Sequence, residues 1–514
     1  MSAVLGSSPD LPAPTPRAPR WRRRIVVGTA GVLLVGGLSA AGLGARWYLH
    51  TGAQPAEALP ASTLAYLAVD LDPSGKEKLA AKGVLDKLPI AASDDLGGVA
   101  DLRKVVVDKL LASGDCTGKT FDHDVLPWLG ERAAVAMVTV ESKPQPVIVL
   151  QSSDDGRADR GMAALSACGG SDFGHWDVRD GWIVWAEKQS YADAVVAGAK
   201  SGTLADDATY KSMVDEAGGT GLVTGYLAKS AFGTLFSTFI GDETSLPAGL
   251  VSEVAKKFPG MALSVRAEDD QVRADYVMTI PADAPARTGS VEPALADLPA
   301  GSSAVVALHP GQGMGGSSFK SAFDAGFDNS AATPRERRMI RRYSQRTLGA
   351  PIETVFSDLF DSTLVAVLGP TTAGDFGRSP VQLPIAGELL PATDKRDRVF
   401  GYFRKLAPQM GLDRWATESG DAIVAATSPA NRGVLSGGGL TSSPTFRSVI
   451  DTDGHDLASV IYVDLHSGLL SEALKRGLVG EPKVLENLQK ISAIGVAGWV
   501  DGATSHVQVR IALD

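Results

Sequence analysis

The reading of the fold turns on the stretch "MALSVRAEDDQVRADYVMTI", Met261 to Ile280, because it occurs twice. Apolar and polar residues alternate on either side of Asp269-Asp270, the pattern of two antiparallel strands joined by a charged turn. At the end of the chain, "IGVAGWVDGATSHVQVRIAL" (Ile494 to Leu513) repeats that hairpin with no gap. Four further blocks recur in the same order. "LPASTLAYLAVDL" (Leu59 to Leu71) matches "LPAGSSAVVALHP" (Leu298 to Pro310), and "VLPWLGERAAVAMV" (Val125 to Val138) matches "VFSDLFDSTLVAVLG" (Val355 to Gly369). "GWIVWAEKQSYADAVVAG" (from Gly181) matches "DAIVAATSPANRGVLSG" (from Asp421), and Leu204 to Ser230 matches Leu440 to Ser467. Five blocks in register imply two homologous lobes in tandem.

Each lobe mixes strand and helix signals without regular alternation, which predicts an α+β fold. The expected sheets are mainly antiparallel, with helices covering one face. "RAAVAMV" and "PVIVLQS" form a second hairpin around the charged segment "TVESKPQ". Amphipathic helices are expected at Ala192 to Ala199, Val251 to Phe258, "RVFGYFRKLA" and "GLLSEALKRGL". The first lobe spans 58–285 and the second 298–514, with 286–297 as a linker in Pro- and Ala-rich sequence.

The chain has 514 residues, 21% of them charged, enough for two lobes with cores of their own. Residues 1–24 are a basic, proline-rich tail. Ile25 to Ala45 then runs without a charge, long enough as a helix to cross a bilayer. Arg17, Arg20, Arg22, Arg23 and Arg24 precede it, which places the N-terminus in the cytoplasm and everything after the juxtamembrane segment 46–57 outside. A signal peptide cleaved after Ser39-Ala40-Ala41 is the competing reading, with the same destination. Residues 1–50 carry six Arg against Asp10, a net +5, so a whole-chain charge of −10 leaves −15 outside. That acidity argues against a nucleic-acid partner. The two cysteines, Cys116 and Cys168, read as one disulfide in an oxidising compartment, with two separate buried thiols as the alternative.

The anchor, the "LPASTLAYLAVDLDPSG" opening and the "LPWLGERAAVAMV" block resemble an uncharacterised bacterial family, domain of unknown function 3352. The resemblance implies a single-pass exported protein and brings no activity or catalytic residues with it.

Chemistry-bearing motifs are sparse. Gly311, Gly313 and Gly316 have G-x-G-x-x-G spacing after a strand, but the second strand and acidic residue of a dinucleotide site do not follow, so a strand-to-helix turn is expected. "DTDGHD" (Asp451 to Asp456) has its glycine at the wrong position for a calcium loop. The seven histidines show no metal spacing, and no cofactor or catalytic set is legible. Trp176, Trp182, Trp185 and Phe173 read as core. The sharpest charge feature is "PRERRMIRRYSQR": Arg335, Arg338, Arg342 and Arg346 at helical spacing, with Arg337 and Arg341 beside them. Met339, Ile340 and Tyr343 would anchor this helix to the lobe. It is a candidate site for an anionic partner, whether lipid headgroups, a wall polymer or an acidic protein, against the alternative of a solvated helix neutralised by the chain's own excess of acid.

The expected function is that of a membrane-anchored extracytoplasmic protein with a non-catalytic binding or scaffold role. A lipid- or glycan-binding protein using the cleft between lobes, and a cell-envelope hydrolase, are the alternatives.

Overall fold

The computed structural model describes residues 52–71, 103, 118–169, 173–231, 260–280 except 269, 289–309, 333–477 except 453, and 485–514 except 487. The tail, the apolar segment 25–45, Cys116, the glycine turn 311–316 and the helix expected at 251–258 lie outside these residues. Among the described residues, no helix is long and apolar enough to cross a membrane.

Among the described residues, eight strands come from each half of the chain. The first half supplies β1 (Thr63–Asp70), β2 (Leu129–Val140), β3 (Lys143–Ser152), β4 (His175–Arg179), β5 (Trp182–Ala186), β6 (Val223–Leu227), β7 (Met261–Glu268) and β8 (Gln271–Thr279). The second supplies β9 (Ala304–Leu308), β10 (Thr363–Leu368), β11 (Ile385–Leu390), β12 (Ala416–Ser419), β13 (Ala422–Ala426), β14 (Leu457–Asp464), β15 (Ile491–Asp501) and β16 (Thr504–Leu513). All sixteen belong to one antiparallel sheet. From its middle outward the first half runs β8, β7, β6, β1, β2, β3, β5, β4, and the second runs β16, β15, β14, β9, β10, β11, β13, β12. The two orders are the same.

Register repeats as well as order. Ala65 lies between Leu227 and Met137, and its counterpart Ala304 lies between Val463 and Leu368. Met261 faces Met278 in the first hairpin, as Ile494 faces Ile511 in the second. Packing on the sheet follows suit. Tyr210 meets Tyr226 edge-on at 5.3 Å, and at the matching positions Phe446 meets Tyr462 at 5.1 Å. Such edge-to-face pairs contribute about 0.5–1.5 kcal/mol each beyond the area they bury.

The halves join through β8 and β16, whose pairing runs from Gln271–Ala512 to Thr279–Thr504. Asp275 sits opposite Gln508, and these two residues are each other's counterparts in the repeat, so the local two-fold passes between them. The lobes therefore meet strand to strand, as one sheet with no separate interface between two.

Helices lie on both faces, where the sequence reading expected one. On the first face α2 (Gln189–Ser201) and α3 (Ala208–Glu216) bury Tyr191, Val195, Tyr210 and Met213 over the first half. Over the second half, α4 (Glu292–Ala296) and α8 (Pro444–Val449) bury Leu295, Phe446 and Val449. On the reverse face, α1 (Asp155–Gly169) covers Ile183, and α7 (Arg396–Met410) covers Ile423. Strand alternation makes this possible: Trp182 and Val184 face the first layer, while Ile183 and Trp185 face the second. The tryptophan group is thus core, divided between two faces.

Two boundaries differ from the sequence reading. The linker expected at 286–297 includes α4, and Val291, Leu295 and Leu298 are fully buried in the second half. The charged turn around "TVESKPQ" narrows to Glu141-Ser142. Both residues have positive φ, 51° and 61°, the twist that lets β2 and β3 run on to a two-residue turn.

Candidate binding surface

Three places carry the functional residues or the polar side chains that the fold leaves in unusual settings. The first is the junction. On the reverse face, Val265, Val272, Ala274, Ile491, Val509 and Ile511 form an apolar cluster across β7, β8, β15 and β16. On the first face the same strands present Arg266, Arg273 and Arg510 in one row, since Arg273 pairs with both of the others. Asp275, 7% exposed, accepts from Arg266, from Arg273 Nε at 2.8 Å, and from Gln508 Nε2 at 2.8 Å. Arg266 also donates to the carbonyl oxygens of Ala217 and Gly218, closing the C-terminal end of α3. Arg510 donates to Asp451 at 3.1 Å. His455, Trp499 and His506 stack beside this row, at 4.5 and 5.1 Å between rings. Burial lowers the pKa of His506 despite Glu216 nearby. Each charge here is engaged in holding the two halves and their helices together. Of "DTDGHD", Asp451 and His455 serve the junction, and Asp453 lies outside the described residues.

The second place is a cavity of about 570 Å³ in the second half, lined by His309, Asp361, Thr363, Leu390, Thr393 and Asp394 among others. His309 Nδ1 lies 2.6 Å from Thr363 Oγ1, and Asp361 pairs with Lys395. The corresponding place in the first half is a cavity of only about 10 Å³, lined by Asp70 and Arg132. There an ion pair at 3.6 Å, between residues directly opposite on β1 and β2, fills the space. Each of these cavities belongs to one half and neither lies at the junction. Among the described residues no group of three or more His, Cys, Asp or Glu converges as a metal site.

The third place is α5 (Pro334–Thr347), the arginine helix. Thr333 caps its N-terminus reciprocally with Glu336, and Pro334 opens its first turn, so its start is encoded locally. It rests on α6 (Ile352–Phe360) and α7 through small or polar contacts. Ser344 is buried and donates to Ala350 O at 2.8 Å; Arg341 pairs with Glu353 at 2.8 Å; and Tyr343 OH donates to Gln409 Oε1 at 2.6 Å. Met339, Ile340 and Tyr343, expected as anchors, are instead 59%, 36% and 50% exposed. At 100° per residue, Arg335, Arg338, Arg342 and Arg346 share the outward stripe. None of the four pairs with a carboxylate among the described residues. Arg337 and Arg341 are half-buried at its inner flank, so the six arginines divide four outward and two inward.

Beneath α5, Asp358 of α6 is buried. It accepts both Nε and Nη2 of Arg398, at 2.9 and 2.8 Å, and the hydroxyl of Tyr402 at 2.9 Å. Burial alone would raise this carboxyl, but Arg398, Tyr402 and the nearby Lys395 bring its pKa below the ordinary value. The network clamps α6 to α7, and with them the platform under α5.

The described residues of the two halves differ in surface. Every large apolar side chain that is exposed among the described residues lies between Met339 and Ile461, in the second half. Of the cysteines, Cys168 sits in the last turn of α1 with its sulfur 3.2 Å from Leu165 O, and Cys116 lies outside the described residues.

No protein-family model matches the chain. No curated protein and no solved structure shows significant similarity to it.

Proposed function

We propose that this is a single-pass, membrane-anchored extracytoplasmic protein of two tandem homologous lobes, in which the second lobe serves as a non-catalytic binding module for an anionic partner. The observation that carries the reading is the asymmetry between halves built on one strand plan. Among the described residues, only the second half combines an arginine stripe, that of α5, with exposed apolar side chains, and such surfaces mark interaction sites. The uncharged segment 25–45 behind its arginine cluster supports the anchor. The pairing of Cys116 with Cys168 and the family resemblance belong to the same proposal.

An arginine close to an anionic surface contributes about 1 kcal/mol, so reversing three of them is expected to weaken association well over tenfold. The test isolates the full chain from membranes by an affinity tag, as wild type and as Arg338→Glu/Arg342→Glu/Arg346→Glu. Co-isolated phospholipid, acidic polymer and protein are then quantified. Equal recovery of all three from both chains would sink the proposal.

A further inference from the structure

We infer that the partner of this face is an anionic lipid surface, contacted by the outer side of α5 together with the C-terminal end of α7. The inference rests on the binding-module reading and adds the identity of the partner. Met339 and Tyr343 lie on α5 immediately beside the stripe of Arg335, Arg342 and Arg346, as 100° steps require. The Tyr343–Gln409 hydrogen bond then joins this side of α5 to the end of α7. There Met410 is 65% exposed, Leu412 just beyond is 40% exposed and Trp415 is 43% exposed.

A face that sets arginines beside methionine, leucine, tyrosine and tryptophan has the composition of an interfacial surface. The guanidinium groups meet phosphates, the apolar side chains enter the acyl boundary, and the aromatic rings sit at headgroup level. A hydrated wall polyanion satisfies the arginines but offers nothing to Met339, Met410 or Trp415. An acidic protein would need a matching apolar patch beside its carboxylates. A bilayer of anionic lipid supplies both ingredients at every point, without a fixed geometry to match.

The experiment places an environment-sensitive dye on Met339→Cys in the full chain, reconstituted into lipid nanodiscs with and without phosphatidylglycerol in phosphatidylcholine. The unsubstituted chain, treated identically, supplies the background. A dye on His123→Cys, a position 90% exposed at its side chain in the first half, is the control for non-specific contact. The expected result is an emission rise of about twofold or more at 339, and quenching by nitroxide-labelled lipid, in anionic discs only. High salt, or Arg338→Glu/Arg342→Glu/Arg346→Glu, is expected to reverse both. A dye at 339 that stays water-exposed in anionic discs overturns the inference, as does equal quenching in discs without phosphatidylglycerol. If the dye stays exposed while the triple variant still loses a co-isolated polymer or protein, the binding module stands and the lipid assignment falls.

Discussion

Asp275→Ala is expected to cost about 3–5 kcal/mol, the largest loss of any single substitution considered. Asp275 is 7% exposed and neutralises Arg266 and Arg273, which lie directly opposite each other on β7 and β8. Arg510 occupies the next place in that row. Without the carboxylate, Arg266 and Arg273 lose the anion they share in the middle of the sheet, beside Arg510, which pairs with Asp451. Gln508 also loses its acceptor at a position 4% exposed, and an unmade buried hydrogen bond costs about 1–3 kcal/mol by itself. Asp275→Asn keeps the volume and one acceptor, so its loss should be smaller. Denaturant unfolding of the three chains gives the comparison. An Asp275→Ala midpoint within about 1 kcal/mol of wild type would contradict this account of the junction.

The second large effect is expected at Asp358. Its replacement by alanine strands the buried hydroxyl of Tyr402 and releases Arg398, which is half exposed and can turn to water. The cost is therefore set mainly by the hydroxyl and the lost charge-assisted bonds, about 2–4 kcal/mol. Because the folded-state pKa of Asp358 is lowered from 3.8, the stability it contributes is fully present above that value. It is lost as the pH falls through the lower folded-state pKa. The stability gap between wild type and Asp358→Asn should thus be constant near neutrality, begin to narrow below about pH 4, and be smallest in stronger acid. A gap that widens on acidification would contradict the assignment. Since Asp358 clamps α6 to α7, Asp358→Ala should also loosen α5 and weaken the proposed contact with anionic lipid while leaving Arg335 to Arg346 intact.

Much of the architecture was legible because it is written twice. Short apolar strands such as Thr63–Asp70 and Ala304–Leu308 give weak signals alone, but the repeat fixes their order, and the antiparallel α+β character follows from the hairpins. The junction was not legible in the same way. Pairing β8 with β16 joins residues more than two hundred positions apart, and no local periodicity encodes a partner at that distance. A signal was nonetheless present: Arg273 and Asp275 occupy one side of a strand whose other side is apolar, and their polar side is the one covered by α3 and α8. The second helical layer also had a signal: β5, next to the edge strand β4, is apolar on both sides ("WIVWA"), the pattern of a strand buried on both faces.

For the candidate surface, spacing was enough to place Arg335, Arg338, Arg342 and Arg346 on one stripe. What misled was the default that methionine, isoleucine and tyrosine turn inward. The contact side of α5 is small and polar, built on Ser344, and its apolar residues face out. The cavity beside His309 could not be foreseen either, since it exists by contrast with the Asp70–Arg132 pair that closes the same place in the first half.

The account's central claim is that the two halves form one sheet through β8 and β16, which fixes the second half's binding face relative to the first. Amide hydrogen exchange on the full chain tests it most directly, because a strand paired on both sides opens only with the larger unit around it. Residues 271–279 and 504–513 are expected to exchange at least about a hundredfold more slowly than the outermost strands 175–179 and 416–419. Exchange at 271–279 and 504–513 as fast as at those edges would show two separate sheets and contradict the claim.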